Sequence, residues 1–286
     1  MTYDTQRYRE LLTRYFDPPR GTSDQADLDS QLVLAEDAIL TRTAFRPGLL
    51  TYEQVRANAT PEGLAELSRL EIPRSPALRN SEFRLIPEGD WLDAIQQKQQ
   101  DAAENSGLVQ FTLDQDGIGS CGSEGMGGSM MATQNKMGVS PVVLLNPLGL
   151  YGLVNGNQDR GSSLSDNVAA AAKYGIPSEA VWPRSNGWRR RLSDEAKQDA
   201  LRNRIDEFWR VGTREEFATA LLLGMFVYFG YPGHAIFATD LIDLKRFRYK
   251  NSWGSAFGVD GFGTLTWDRI EWSYGAWAIR TCIRPT

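Results

Sequence analysis

The chain contains one histidine, His234, and two cysteines, Cys121 and Cys282. Cys121 lies in Gly119-Ser120-Cys121-Gly122, where a glycine-rich turn runs into a predicted helix. A thiol with an ordinary pKa near 8.5 is mostly protonated at neutral pH. A helix N-terminus and a neighbouring imidazolium favour the thiolate, which can attack a carbonyl carbon while the imidazole returns a proton to the leaving amine. His234 sits in Gly233-His234-Ala235-Ile236, and Asn251-Ser252-Trp253-Gly254 follows at a spacing that suits two neighbouring antiparallel strands. Gln115 stands shortly before Cys121. Each residue also has a plainer reading. Cys121 could be a small buried side chain, His234 a structural histidine, Asn251 a strand end, Trp253 a core residue and Gln115 a surface amide. Cys282 reads as a small hydrophobe in the last strand. Glu124, Asp240 and Asp243 read as solvated or capping carboxylates.

Elements that would position these residues follow from periodicity and punctuation. Helices are predicted over residues 90–104, 163–174 and 214–223, the second closed by Gly175 and Pro177. Residues 117–128 read as a glycine-rich turn leading into a helix best formed over 129–136. Strands are predicted over 109–113, 234–241, 247–252, 261–267 and 272–284. Helices come early and strands late, the order of an α+β fold. Residues 1–85 read as a separate, mostly helical extension, with helical spacing over 3–15 and 30–40 and helix starts at Thr51 and at Thr60-Pro61. The boundary expected from this division separates residues 1–85 from a domain over 86–286.

Composition narrows the classes of function. The 286 residues are 41% hydrophobic and 23% charged, the make-up of an ordinary globular protein. A formal charge of −5 and a pI near 5.2 give no electrostatic footprint for nucleic acid. Arg189-Arg190-Arg191 reads as a solvated face. No apolar run is long enough for a membrane span, and the N-terminus lacks the apolar core of a secretory signal. Two distant cysteines without a signal suit a reducing, cytoplasmic setting. No metal and no cofactor are expected.

The motifs around these residues resemble the papain family of cysteine peptidases. Besides the cysteine, histidine and asparagine segments in that order, Ile86-Pro87-Glu88-Gly89-Asp90-Trp91 is similar to the start of the mature family domain. Asp159-Arg160-Gly161-Ser162-Ser163 is similar to the glycine-containing segment beside the cleft. Tyr174-Gly175-Ile176-Pro177-Ser178-Glu179, then Trp182-Pro183, resembles a further family stretch. Tyr249-Lys250-Asn251-Ser252-Trp253-Gly254 with Phe257-Gly258 and Gly261-Phe262 matches the strongest signature. The match spans roughly residues 86–267. It implies a papain-like fold, a helical subdomain packed on an antiparallel sheet, and thiol-dependent cleavage of an extended polypeptide. Cys121 would be the nucleophile, His234 the acid–base group and Asn251 its orienting partner, with Trp253 covering that bond. Gln115 and the Cys121 N–H would bind the oxyanion. Gly161 and Ser162 would pair with the substrate backbone, and Gly233 and Trp253 are further candidates for substrate contact.

Several residues depart from the family pattern. Gly122 replaces the usual tryptophan, and Gly125, Gly127 and Gly128 follow, so a poorly formed first helical turn is expected. Glu124 near the nucleophile is expected to raise the thiol pKa. Ile118 stands where secreted members carry a disulfide cysteine, and the interval between Trp182 and His234 is short. Residues 1–85 take the place of an inhibitory propeptide without the usual propeptide pattern, so a docking arm with protein assembly contacts is the other reading. The style resembles domains encoded by bacteria and bacteriophages. The alternative to a working, cytoplasmic endopeptidase is therefore a catalytically weak or inactive papain-fold structural or assembly protein, associated with a virion.

Overall fold

The computed structural model describes residues 48–71 and 75–283. The helices expected over 3–15 and 30–40 lie outside the described residues. Short capped helices open the described chain. Thr51 and Thr60 cap α1 (Tyr52–Asn58) and α2 (Pro61–Leu67) with their side-chain oxygens, and Pro61 supplies a residue pre-set for a first helical turn. The chain then forms α3 (Trp91–Gln100) and the fully helical α4 (Cys121–Lys136). Asn146, Ser163 and Ser193 cap α5 (Pro147–Val154), α6 (Leu164–Lys173) and α7 (Asp194–Ala200). After β1 (Phe208–Val211), Thr213 caps α8 (Arg214–Leu222). The rest is mostly strand: β2 (Phe226–Tyr231), β3 (His234–Leu241), β4 (Arg246–Lys250), β5 (Phe262–Thr266) and β6 (Ala276–Ile279).

All strand pairs are antiparallel, in the order β1-β6-β2-β3-β4-β5. A mixed α+β fold results, and among the described residues it has, besides a smaller cluster of Val109, Ala132, Phe226 and Phe237, two large apolar cores. One gathers Met126, Met130, Leu150, Tyr151 and Val168 from the helices. The other places α8 on the sheet, where the Phe217 ring lies 5.2 Å from Phe229 and 5.0 Å from Phe247. α4 runs between them and is buried from Cys121 through Gln134.

That burial corrects the expected weakness at the start of α4. The helix is continuous from Cys121, and its glycines are sites of close approach. A Cβ at Gly127 would meet Pro147 Cγ at 2.7 Å, and one at Gly128 would meet Phe237 Cε1 at 2.5 Å. The propensity lost at each glycine, up to about 1 kcal/mol, is offset by packing that a larger residue would obstruct.

Other boundaries also differ from expectation. Residues 109–113 form no strand; Leu113 O accepts the Gly254 N–H at 3.0 Å, and Asp114, just beyond, makes an isolated bridge with Trp253. Among the described residues of 272–283 the strand is confined to β6. The apolar run over 217–229 is divided by a turn at Gly224, φ +80°, into the end of α8 and the unanticipated β2. β1, α5 and α7 were likewise not anticipated. The N-terminal region divides between the two cores. Val55 and Leu67 pack with the helices, whereas Ala77 bridges Arg210 of β1 and Leu78 lies in the sheet core. Among the described residues no helix is long and apolar enough to cross a membrane.

Candidate active site

Cys121 is the first residue of α4 and is fully buried. The backbone N–H groups of Ala235, Gly122 and Gly48 donate toward its sulfur. The Ala235 contact brings the start of β3, and hence His234, against the helix that Cys121 opens. A Pro232-Gly233 turn joins β2 to β3, with Gly233 at φ +76°, and pairs Tyr231 with His234. The imidazole lies between Trp253, 4.6 Å away by ring centroids, and Tyr231, at 5.4 Å.

His234 Nε2 is 2.8 Å from Asn251 Oδ1. The same Oδ1 accepts the Ser252 N–H at 2.8 Å, which fixes the amide with its oxygen toward the ring. Nε2 must then carry the proton, leaving Nδ1 as the basic nitrogen of the neutral imidazole. Asn251 itself is held by its N–H donating to Gly261 O at 2.8 Å.

Gln115 is buried beside this group. Its Oε1 accepts from Ser252 Oγ at 2.9 Å and from Trp253 Nε1 at 3.2 Å. With the oxygen occupied, Nε2 is turned toward the loop before Cys121 and donates to Ile118 O at 2.8 Å. Trp253 thus touches both the histidine ring and the glutamine amide.

Residues 48–50 cross this site. Ser162 N–H donates to Gly48 O at 2.9 Å, and Leu50 N–H donates to Ser162 O at 3.1 Å. Leu49 N–H reaches Gly233 O at 3.4 Å. A Cβ on Gly48 would fall 2.9 Å from Cys121 Sγ, and one on Gly161, at φ +119°, would strike the Gly48 carbonyl. Glycine at both positions allows the two backbones to meet over the thiol. The Leu49 side chain is buried against Gly230, where a Cβ would lie 2.6 Å from its Cδ2. Gly161, Ser162 and Gly233, considered for substrate contact, therefore meet a segment of the same chain.

Burial governs the charge state of the covered pair. It pushes the Cys121 thiol up to about 12, against the three donated N–H groups, and Glu124 adds a smaller upward push. It also pushes His234 down to about 4, against the Asn251 hydrogen bond. Both groups are neutral in the covered site near pH 7. Glu124 is not the free carboxylate the sequence suggests; Arg184 Nη2 stands 2.6 Å from its Oε1. The role of Arg184 had no signal in the sequence, because it depends on a contact spanning 60 positions. Gly122 has a steric explanation: a Cβ there would lie 2.8 Å from both Asn167 Nδ2 and Ser162 Oγ. Cys282 is buried and belongs to the helix-side core, as expected of a small hydrophobe. Among the described residues no group of three or more histidine, cysteine, aspartate or glutamate side chains could hold a metal ion.

No family model matches the chain, and no curated protein matches it in sequence. Solved structures do match. Xylellain, a cysteine protease from Xylella fastidiosa, aligns at 19% identity and TM-score 0.50, covering 76% of this chain and 88% of its own. Digestive procathepsin L 3 of Tenebrio molitor aligns at 14% identity and TM-score 0.51, covering 96% and 99%. The proform of Amb a 11, a ragweed pollen cysteine protease, aligns at 15% identity and TM-score 0.53, covering 98% and 94%. At these identities the likeness is one of fold.

Proposed function

The chain has a papain-like fold, and we propose that it is a thiol endopeptidase held in a closed, proenzyme-like form by its own residues 48–71. One observation carries the reading: a peptide segment pairs with Ser162 directly over Cys121, beside the His234–Asn251 hydrogen bond. The cleft therefore accepts extended backbone. The fold likeness to two proforms over nearly the whole chain supports assigning a propeptide-like role to the N-terminal region.

The covering segment lies in an unproductive pose. The Gly48 carbonyl accepts from Ser162 N–H, and one N–H of Gln115 Nε2 donates to Ile118 O rather than to a carbonyl of the segment. No carbonyl of the segment is thereby placed for attack with its oxygen on Gln115. Once the segment leaves, water reaches the pair and the burial that favours the neutral forms is relieved. Nδ1 of His234 takes the Sγ proton, and the thiolate attacks the scissile carbonyl carbon. The oxyanion is received by the Cys121 N–H and Gln115 Nε2, a donor worth up to about 3–4 kcal/mol. The imidazolium gives its proton to the leaving amine, and a thioester remains. Water, deprotonated by Nδ1, attacks that thioester and releases the carboxylic acid and the thiol.

The experiment is labelling of the full chain by a peptidyl epoxide under reducing conditions. The wild-type chain should label slowly, and Leu49→Asp, which places a charge in an apolar seat, should label on Cys121 and hydrolyse a peptide reporter. Cys121→Ala in that background should abolish both. A folded Leu49→Asp protein whose segment is displaced, yet which forms no Cys121 adduct, would sink the endopeptidase reading and leave the scaffold role.

A further inference from the structure

We propose that Arg184 and Glu124 form a positioning strut that holds the oxyanion-binding side chain of Gln115 in place against the nucleophile's helix; this rests on the peptidase reading above. Glu124 is in the first turn of α4, fully buried, three residues from Cys121. Arg184, in the loop after Trp182-Pro183, meets its carboxylate with both terminal nitrogens, Nη2 to Oε1 at 2.6 Å and Nη1 to Oε2 at 3.3 Å. Ser120 Oγ donates to the same Oε1 at 3.3 Å, tying in the helix N-cap. Nη2 also donates to the carbonyl oxygen of Asp114, the residue immediately before Gln115.

One guanidinium therefore joins the two pieces of backbone that carry the two oxyanion donors. The Cys121 N–H rides on the first turn of α4, and Gln115 rides on the segment bridged to Trp253. Between them the chain turns through Asp116 at φ +46° and Gly117 at φ +73°, closed locally by the Ile118 N–H on Gln115 O at 2.9 Å, and the guanidinium ties the two ends of this turn together from outside it. A planar, forked cation can span the carboxylate and the carbonyl together, whereas an ammonium cannot. Oxyanion stabilisation depends on donors held where charge develops, so a small drift of Gln115 relative to Cys121 is felt in the transition state rather than in substrate binding. The pair also explains the acidic residue beside the thiol: Glu124 is part of the strut, with its charge answered by Arg184.

The test uses the full-length Leu49→Asp protein, its opening checked by Cys121 alkylation, as parent for Arg184→Met, Arg184→Lys and Glu124→Gln. Affinity is measured for a peptide aldehyde, which forms a hemithioacetal oxyanion on Cys121, and for the amide of the same peptide, which does not. Arg184→Met should lose about 10²-fold in kcat and in aldehyde affinity, with KM and amide affinity within about twofold. Arg184→Lys, which keeps the charge and so the fold, should fall in the same two quantities and fail to rescue. Glu124→Gln, which loses the charge and keeps one accepting oxygen of the two, should fall less than Arg184→Met. Equal loss for aldehyde and amide, or no loss in Arg184→Lys, overturns the proposal. A parent that is alkylated but neither turns over peptide nor binds the aldehyde refutes the peptidase reading instead.

Discussion

The imidazole of His234 is held at three points, by Asn251 Oδ1 through Nε2 and by the rings of Trp253 and Tyr231. In the proposed mechanism the fixed Asn251 amide contributes orientation of the ring by a hydrogen bond. In an opened chain Asn251→Ala should slow alkylation of Cys121 by at least about tenfold, read as a second-order rate with a neutral electrophile. An unchanged rate would mean that stacking alone sets the ring. Gly122 makes a second prediction at this scale. Any Cβ there meets Asn167 and Ser162, and Asn167 is itself fixed by the Ser123 hydroxyl at 2.6 Å. Gly122→Trp should therefore destabilise the fold by more than the roughly 1–3 kcal/mol typical of overpacking, seen as a lower urea midpoint. A midpoint equal to wild type would show that the site can open around an indole.

Among the elements, α4 decides how near the sheet can come to Cys121. Gly128→Ala would gain up to about 1 kcal/mol of helix propensity and lose about 1–3 kcal/mol to the contact with Phe237. The balance should be a net loss of stability in denaturant, and a gain would show that the ring yields. α1 has a comparable role for the covering segment. Arg56 donates to both oxygens of Asp166, each at 3.0 Å, and Asp166 is fully buried on α6. Arg56→Ala leaves that buried carboxylate with the Ser163 hydroxyl, 2.6 Å from Oδ2, but without its cation, a change of the kind that costs up to about 3–5 kcal/mol. Proteolysis of residues 48–71 should then become faster and Cys121 labelling should rise. Faster proteolysis without faster labelling would show that α1 does not govern access to the thiol.

For the molecule as a whole, closure should depend on pH from both sides. Burial lowers His234 from 6.5 to about 4, so the open form takes up the proton first and closure weakens as pH falls from about 6.5 toward 4. Burial raises Cys121 from 9.0 to about 12, so the open form loses its proton first and closure weakens as pH rises from about 9 toward 12. Each effect amounts to at most about 1.4 kcal/mol per pH unit within its window. Amide protection at Leu50 and Ser162, corrected for intrinsic exchange, should be greatest between about pH 6.5 and 9. A flat profile would mean that residues 48–71 stay seated whatever the charge of the pair.

The linear order of residues determined a great deal. The α+β class and the hairpin bringing Asn251 toward His234 were legible, because polar punctuation and strand alternation are local properties. Cys121 at a helix start was legible for the same reason. The papain-like fold was legible from ordered motifs. The quality of α4 was misjudged, since helix propensity counts each glycine as a cost and cannot register Pro147 or Phe237 arriving from elsewhere. The reading of Glu124 missed Arg184, and that of Gly161 and Ser162 missed Gly48 and Leu50, because those contacts join distant parts of the chain. Tertiary structure alone decided that the thiol and imidazole are buried together beneath residues 48–50. The physical reason is that a group's charge state depends on the water and dipoles that surround it, and those are set by which backbone folds over it.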